Sequence, residues 1–335
     1  MSLPPVLALA IGDPNGIGPE LAAKAAAVAM AESTCRLVLV GDAFVVRAAL
    51  AQYAPDVADK VADLRPGAAV PVALLPVDSL PRGAYKPGTI DAAAGRACVD
   101  YALAAMQLVR SGEAAAAVAC PHSETAIHAA GISFSGYPSL VAKFAGVSAD
   151  EVFLMLIGGG LRILHATLHE GLRDALDRLT VDHVVAAGTA AIHFLQRMGI
   201  AAPRIGLFGI NPHAGEGGLF GSEDERITFP AAERLCRAGH DIEGPAGADL
   251  LLMRRDIDAF VAMYHDQGHI PVKLLAGRNA AALSIGGDIL FSSVGHGAAF
   301  DIAGSGRADP EALLRTLRLV AATLQGDGAR AGTPA

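Results

Sequence analysis

Short runs of β-branched and leucine-rich residues alternate along the chain with longer alanine-rich stretches whose apolar positions recur at helical spacing. Val6–Ile11, Arg36–Val40, Ala115–Ala119, Val152–Ile157, Arg162–His165, Arg204–Gly209 and Ala259–Tyr264 have strand length and composition. Pro19–Met30, Ala92–Ser111, Val181–Gly199 and Pro310–Leu324 predict helices. Strands alternating with helices in this way predict an α/β fold, mostly parallel, with helices on both faces of the sheet. No tandem repeat breaks the pattern. The tail, 326–335, is rich in Gly, Ala and Pro and is expected to fray.

Composition narrows this picture. A chain of 335 residues can form one large domain or two. A hydrophobic fraction of 52% against 18% charged residues predicts extensive buried surface. A net charge of −8 without any basic cluster excludes a nucleic-acid partner. Met1–Gly12 is apolar but has no basic flank and runs into a glycine turn, so it reads as a first strand, not a signal peptide. No apolar run is long enough for a membrane span. Cys35, Cys98, Cys120 and Cys236 are scattered, as buried thiols in a reducing compartment would be, and the expected location is the cytoplasm.

The dinucleotide fingerprint G-x-G-x-x-G is absent, so any nicotinamide site must be of another kind. Three histidines follow predicted strands: His169 in HATLHEGLRDAL, His213 in GINPHAGEGGLFGSED and His265 in AMYHDQGHIPVKLL. Carboxyl ends of parallel strands are where open α/β sheets place ligands. Three imidazoles from separate loops would hold a divalent metal and leave positions open for substrate. Each could equally be a polar loop residue, and spacing alone does not separate the two. GDPNGIGPE, from Gly12 to Glu20, is either an anion cradle at a helix start or a well-made βα turn. GHGAAFDIAG, from Gly295 to Gly304, is bare enough to approach a flat ligand. Asp266 and Lys273 lie beside His265, and a lysine near a metal can shuttle protons at neutral pH. Asp249, in GPAGADLLL, is a second acid/base candidate or a helix N-cap.

Read together, GDPNGIGPE, CPHSETAIHAAGISFSG, TLHEGLRDAL, INPHAGEGG, GPAGAD, MYHDQGHIPVK and VGHGAAFDIAG resemble the 4-hydroxythreonine-4-phosphate dehydrogenase family, in the family's order and over nearly the whole chain. The resemblance implies two α/β/α domains similar to isopropylmalate dehydrogenase, with the active site in the interdomain cleft and completed by the second subunit of a homodimer. The expected bounds are 1–125 plus 278–330 for a first, NAD-side domain, and 126–277 for a second carrying the metal ligands and the dimer interface. It also implies a divalent metal, commonly zinc, on His169, His213 and His265. The loop with Gly295, His296, Gly297 and Asp301 resembles one that holds the adenosine of NAD in decarboxylating dehydrogenases.

Departures from the family pattern carry the substrate reading. Its phosphate-handling His-Thr pair is here Tyr137-Pro138, an expected asparagine is Ala282 and an expected arginine is Phe291, while the lysine is kept as Lys273. A phosphate dianion would thereby lose several charge-assisted hydrogen bonds, each worth about 1.5–3 kcal/mol. FSGYPSL, FLMLIGGGLRI, HDQGHIPVKLL and SSVGHG are similar to the branch acting on the cis-dihydrodiol of terephthalate, a dihydroxycyclohexadiene dicarboxylate converted to protocatechuate, carbon dioxide and NADH. Tyr137, Ser139, His122, Phe291 and Arg162 are then the expected substrate contacts, Arg162 being also suited to a structural ion pair. The competing readings are a dehydrogenase of 4-hydroxythreonine 4-phosphate or another phosphorylated hydroxy acid, and a non-catalytic binder of a small aromatic acid.

Overall fold

A computed structural model of the chain describes residues 3–65, 67, 69–277, 280–294 and 297–325. The elements open with β1 (Val6–Ala10), α1 (Gly18–Glu32), β2 (Arg36–Gly41), α2 (Ala43–Tyr53), α3 (Pro55–Ala58), β3 (Ala62–Asp63), β4 (Val72–Pro76), α4 (Ala92–Arg110), β5 (Ala116–Ala119), α5 (Glu124–Ala129) and α6 (Tyr137–Ala145). They continue with β6 (Phe153–Gly158), β7 (Leu161–His165), α7 (Leu172–Arg178), α8 (Val181–Arg197), β8 (Arg204–Phe208), α9 (Glu223–Arg226), α10 (Thr228–Arg237), β9 (Asp241–Ala246) and α11 (Ala248–Leu252). The last are β10 (Ala259–Ala262), α12 (His265–Ala276), β11 (Ala281–Ile285), β12 (Phe291–Ser293) and α13 (Glu311–Leu324). The predicted tail at 326–335 lies outside the described residues.

The chain packs as two units, Met1–Ala145 with Asp288–Leu324, and Gly146–Gly287. In the first, the strand order is β3-β4-β2-β1-β5-β12, every pair parallel. β1, β2 and β5 are buried almost end to end, which is why they read as continuous apolar runs rather than alternating ones. The boundary expected after residue 125 falls after Ala145 instead. The reason is that α5 and α6 pack on α4: Arg96 donates to the carbonyl of Ala130 (2.9 Å) and Arg110 lies over the Phe144 ring (4.1 Å).

The second unit has the order β11-β6-β7-β10-β8-β9. β7, β10, β8 and β9 are parallel neighbours, whereas β6 runs antiparallel to both β7 and β11. This departs from the mostly parallel expectation because the glycines at 158–160 let β6 turn straight back into β7, and parallel pairing needs a long crossover. Leu156, Ile163, Phe208, Phe260, Ala262 and Val272 form its core, with Phe208 stacked on Phe260 at 5.4 Å. Among the described residues, no helix is long and apolar enough to cross a membrane.

The glycine turn after β1 is a structural joint. Four of its amides are taken: Asp13 donates to Pro121, Asn15 to Asp13 Oδ1, Gly16 to Asp13 and Ile17 to Ala298. Those four amides are committed to the turn itself, in keeping with the βα-turn reading of Gly12–Glu20. Asp13 is fully buried, and its Oδ2 has no hydrogen-bond partner. Burial pushes its carboxyl up from 3.8 to about 6. Between those values the folded chain keeps a proton that the unfolded chain has released, so stability from this group is present in acid and is lost as pH rises through about 6. Asp13→Asn cannot ionise. It is expected to exceed the parent in stability by about 2–3 kcal/mol at pH 8, with the gap closing near pH 4, as read by urea denaturation at both pH values.

Candidate active site

β7, β10 and β8 lie side by side and parallel, so the segments leaving their carboxyl ends emerge at one edge of the second unit's sheet. His169 follows β7, His265 opens α12 directly after β10, and His213 follows β8. His169 and His265 come together, with ring centroids 5.4 Å apart, and with Asp266 they line a cavity of about 330 Å³. His213 is held differently. It is exposed, its ring meets Phe220 edge-on, and Glu216 accepts at Nδ1 (2.8 Å). The Glu216 bond, then its charge, raises the His213 pKa above the usual histidine value, with Asp249 adding to the effect.

The backbone around His213 is strained. His213, Ala214 and Glu216 have φ of 54°, 54° and 42°, the left-handed region that costs a side-chain-bearing residue about 1–2 kcal/mol. Buried Asp224 fixes the start of this turn by accepting the amides of Ile210 (2.7 Å) and Asn211 (2.9 Å).

The donor chemistry suits a divalent metal. His265 Nδ1 is bonded to Asp266 Oδ1 (2.7 Å) and His213 Nδ1 to Glu216, so each presents Nε2 outward behind a carboxylate. Carboxylate-backed imidazoles of this kind are strong metal ligands. Among the described residues, however, no group of three or more His, Cys, Asp or Glu is placed to hold an ion. One chain joins His169 to His265 and leaves His213 outside that pair.

Two further histidines belong to the cluster, and sequence reasoning missed both. His269 stacks on His265 at 3.7 Å, and its Nδ1 meets Nε2 of buried His165 at 3.0 Å. His165 Nδ1 faces the carbonyl of Leu154 (3.1 Å), which only accepts, so the proton sits on Nδ1 and Nε2 must accept from His269. His269 consequently turns a lone pair outward on Nε2. Burial, reinforced by the neighbouring imidazoles, lowers His165 to about 3 and His269 to about 4. The signal available was helical spacing: His265, His269 and Lys273 recur every fourth residue and share one face of α12. Lys273 is exposed and its charge reaches His269.

The other expected residues fall as follows. Asp249 sits inside the first turn of α11, whose N-cap is Gly247, so it is not a cap. Arg162 lies at the amino end of β7, opposite the end that His169 follows, and donates to the Asp258 carbonyl (3.1 Å). In the first unit, Tyr137 tilts over Phe291 at 4.6 Å, and His122 (4.8 Å) and Phe134 (5.5 Å) meet it edge-on. Tyr137 and Phe291 are buried, and the Tyr137 hydroxyl lies against the buried Cys98 thiol, within its hydrogen-bonding reach. Burial lowers the His122 pKa. Ser139 donates to the carbonyl of Gly136 (2.8 Å). Gly295 and His296 lie outside the described residues. Gly297 and Asp301 are exposed in the turns that follow, a bare backbone with a carboxylate suited to a ribose-bearing cofactor.

Gly268 tests the imidazole chain, because a Cβ there would stand 2.4 Å from His165 Nε2. Gly268→Ala is expected to cost about 1–3 kcal/mol through overpacking, read as a lower urea midpoint. An unchanged midpoint would mean the two rings do not pack as described.

Comparison with known proteins places these features. The chain is 49% identical over 318 residues to the 1,2-dihydroxy-3,5-cyclohexadiene-1,4-dicarboxylate dehydrogenase of Comamonas sp, covering 94% of this chain and 97% of that one. It is similar to the crystal structure of a terephthalate 1,2-cis-dihydrodiol dehydrogenase from Burkholderia xenovorans LB400, at 55% identity and a TM-score of 0.78 over 96% of this chain and 98% of that one. A 4-hydroxythreonine-4-phosphate dehydrogenase from Klebsiella pneumoniae superposes with a TM-score of 0.84 at 33% identity, over 96% of this chain and all (100%) of that one. Residues 33–320 match the model of the pyridoxal phosphate biosynthetic protein PdxA family, and the chain is a dehydrogenase belonging to that family.

Proposed function

We propose that the chain is an NAD-linked, metal-dependent dehydrogenase that oxidises the cis-dihydrodiol of terephthalate and releases carbon dioxide to leave protocatechuate. The observation that carries this reading is the tilted contact of Tyr137 with Phe291 within the His122–Phe134 aromatic set. By the family resemblance, Tyr137 and Phe291 stand in place of residues that grip phosphate, and a buried aromatic surface suits a six-membered ring where a dianion would find no partner. The substrate named for the Comamonas relative is a ring diol of this kind. The competing phosphorylated hydroxy acid would require the cationic and amide partners that Ala282 and Phe291 cannot supply.

In this reading His169, His213 and His265 hold the metal. A bound divalent ion supplies Lewis acidity at the hydroxyl and at the carbonyl formed beside the departing carboxylate, and NAD accepts the hydride. Asp266 fixes the His265 tautomer, and Glu216 does the same for His213. Lys273 moves the hydroxyl proton; Asp249, within electrostatic reach of His213, is the second acid/base group. His122, Tyr137 and Ser139 receive the remote carboxylate. Gly295, His296, Gly297 and Asp301 hold the adenosine. The reading requires imidazoles and aromatic set to act on one substrate, in a cleft of the isopropylmalate dehydrogenase type. It also requires a second copy of the chain to complete the ligand set, and α12 exposes Ile270, Leu274 and Leu275 as an apolar face for that partner.

The test is NADH formation by metal-replete protein given the terephthalate dihydrodiol, beside 4-hydroxythreonine 4-phosphate and threonate 4-phosphate. Turnover of the diol alone is expected, and preference for a phosphorylated acid would overturn the proposal. His213→Ala is expected to lower kcat by at least about 10³-fold and to lose metal by elemental analysis, since removing a ligand removes the Lewis acid with it.

A further inference from the structure

GDPNGIGPE is the motif that the proposed chemistry does not use, yet it contains three of the few wholly buried polar residues, Asp13, Asn15 and Glu20. Glu20 stands in the first turn of α1, and its carboxylate accepts two amides of one distant loop: Ala308 at 2.8 Å through Oε1 and Gly306 at 3.2 Å through Oε2. Lys24, one turn on, bonds Glu20 (2.7 Å) and caps the carbonyls of the same two residues, Gly306 (2.9 Å) and Ala308 (2.7 Å). The other end of that loop is gripped by the glycine turn, where the Ile17 amide donates to the Ala298 carbonyl at 2.9 Å. A Cβ on Gly16 would lie 2.8 Å from both the Cβ and the carbonyl oxygen of Ala298, so only glycine allows this approach. The segment so held, Gly297 to Ala308, is a series of turns with little regular structure of its own.

We infer that Glu20 and Lys24 are positioning residues for the cofactor, a clasp through which α1 fixes the 297–308 loop in the shape that receives adenosine. The inference rests on the NAD reading of that loop. A loop built from turns and small residues would have to be ordered when a ligand binds, and each residue fixed then subtracts from affinity. Two amides and two carbonyls anchored beforehand remove part of that loss. A partly buried ion pair that spans both hydrogen-bonding directions holds the backbone's position and orientation together. Neither side chain needs to touch the cofactor, so the effect falls on cofactor binding and not on the reaction.

The variants are Lys24→Met, which removes both carbonyl caps, Glu20→Gln as a second change in case the first fails to fold, and Lys24→Arg as the conservative control. NAD+ affinity is measured by calorimetry, and hydrogen exchange over 297–308 is followed with and without NAD+. Lys24→Met and Glu20→Gln are expected to speed exchange over that segment and weaken NAD+ binding about tenfold, with kcat at saturating NAD+ and the KM for the diol kept within about twofold. Lys24→Arg is expected to restore most of the affinity. If NAD+ protects 297–308 in the parent but the variants bind it equally well, the clasp is refuted alone. If NAD+ leaves exchange there unchanged in the parent, the cofactor reading itself fails and the inference falls with it.

Discussion

The chemistry of the second unit hangs on the parallel register of three adjacent strands. Ile163, Phe260 and Gly206 lie side by side across β7, β10 and β8, so the three chains leave the sheet at the same level and at the same edge. Each then delivers a histidine. Because a side chain's face alternates with every residue, a slip of one position in any strand would send its loop off in another direction. The buried phenylalanines hold that register: Phe208 and Phe260 stack beneath the loops, and neither has anywhere else to go in a packed core.

Upon that frame, hydrogen bonds set the state of each imidazole. A main-chain carbonyl fixes the tautomer of His165, which fixes that of His269, while carboxylates orient His265 and His213. The arrangement uses neutral rings where the environment is buried and charged partners where it is exposed, the division that desolvation favours. The strained turn at His213 is the costly part, and buried Asp224 anchors it. In the first unit, Tyr137, Phe291, Phe134 and His122 pack as one aromatic set, with the Tyr137 hydroxyl against Cys98.

Much of this was legible beforehand. The strands expected at Val6–Ile11, Arg36–Val40 and Ala115–Ala119 match β1, β2 and β5 closely, because buried parallel strands announce themselves as unbroken apolar runs. β4 and α2 went unpredicted, and the hairpin of β6 and β7 was taken for part of a parallel sheet. Periodicity reports that a segment is a strand but not the direction of its neighbour. His265 was visible through its motif. His165 and His269 were not, since one looks like a strand residue and the other like a polar position in a loop until α12 is seen to carry the segment.

By itself, then, the sequence settled the class of fold and the family, because local periodicity and motif order are properties of the chain as written. Tertiary structure decided which side chains meet. It joined His165 to His269 across a strand and a helix, turned the GDPNGIGPE amides inward, and put Glu20 against a loop nearly three hundred residues away. Hydrogen-bond partnership between remote segments depends on strand pairing and core packing, and neither leaves a mark on the spacing of residues along the chain.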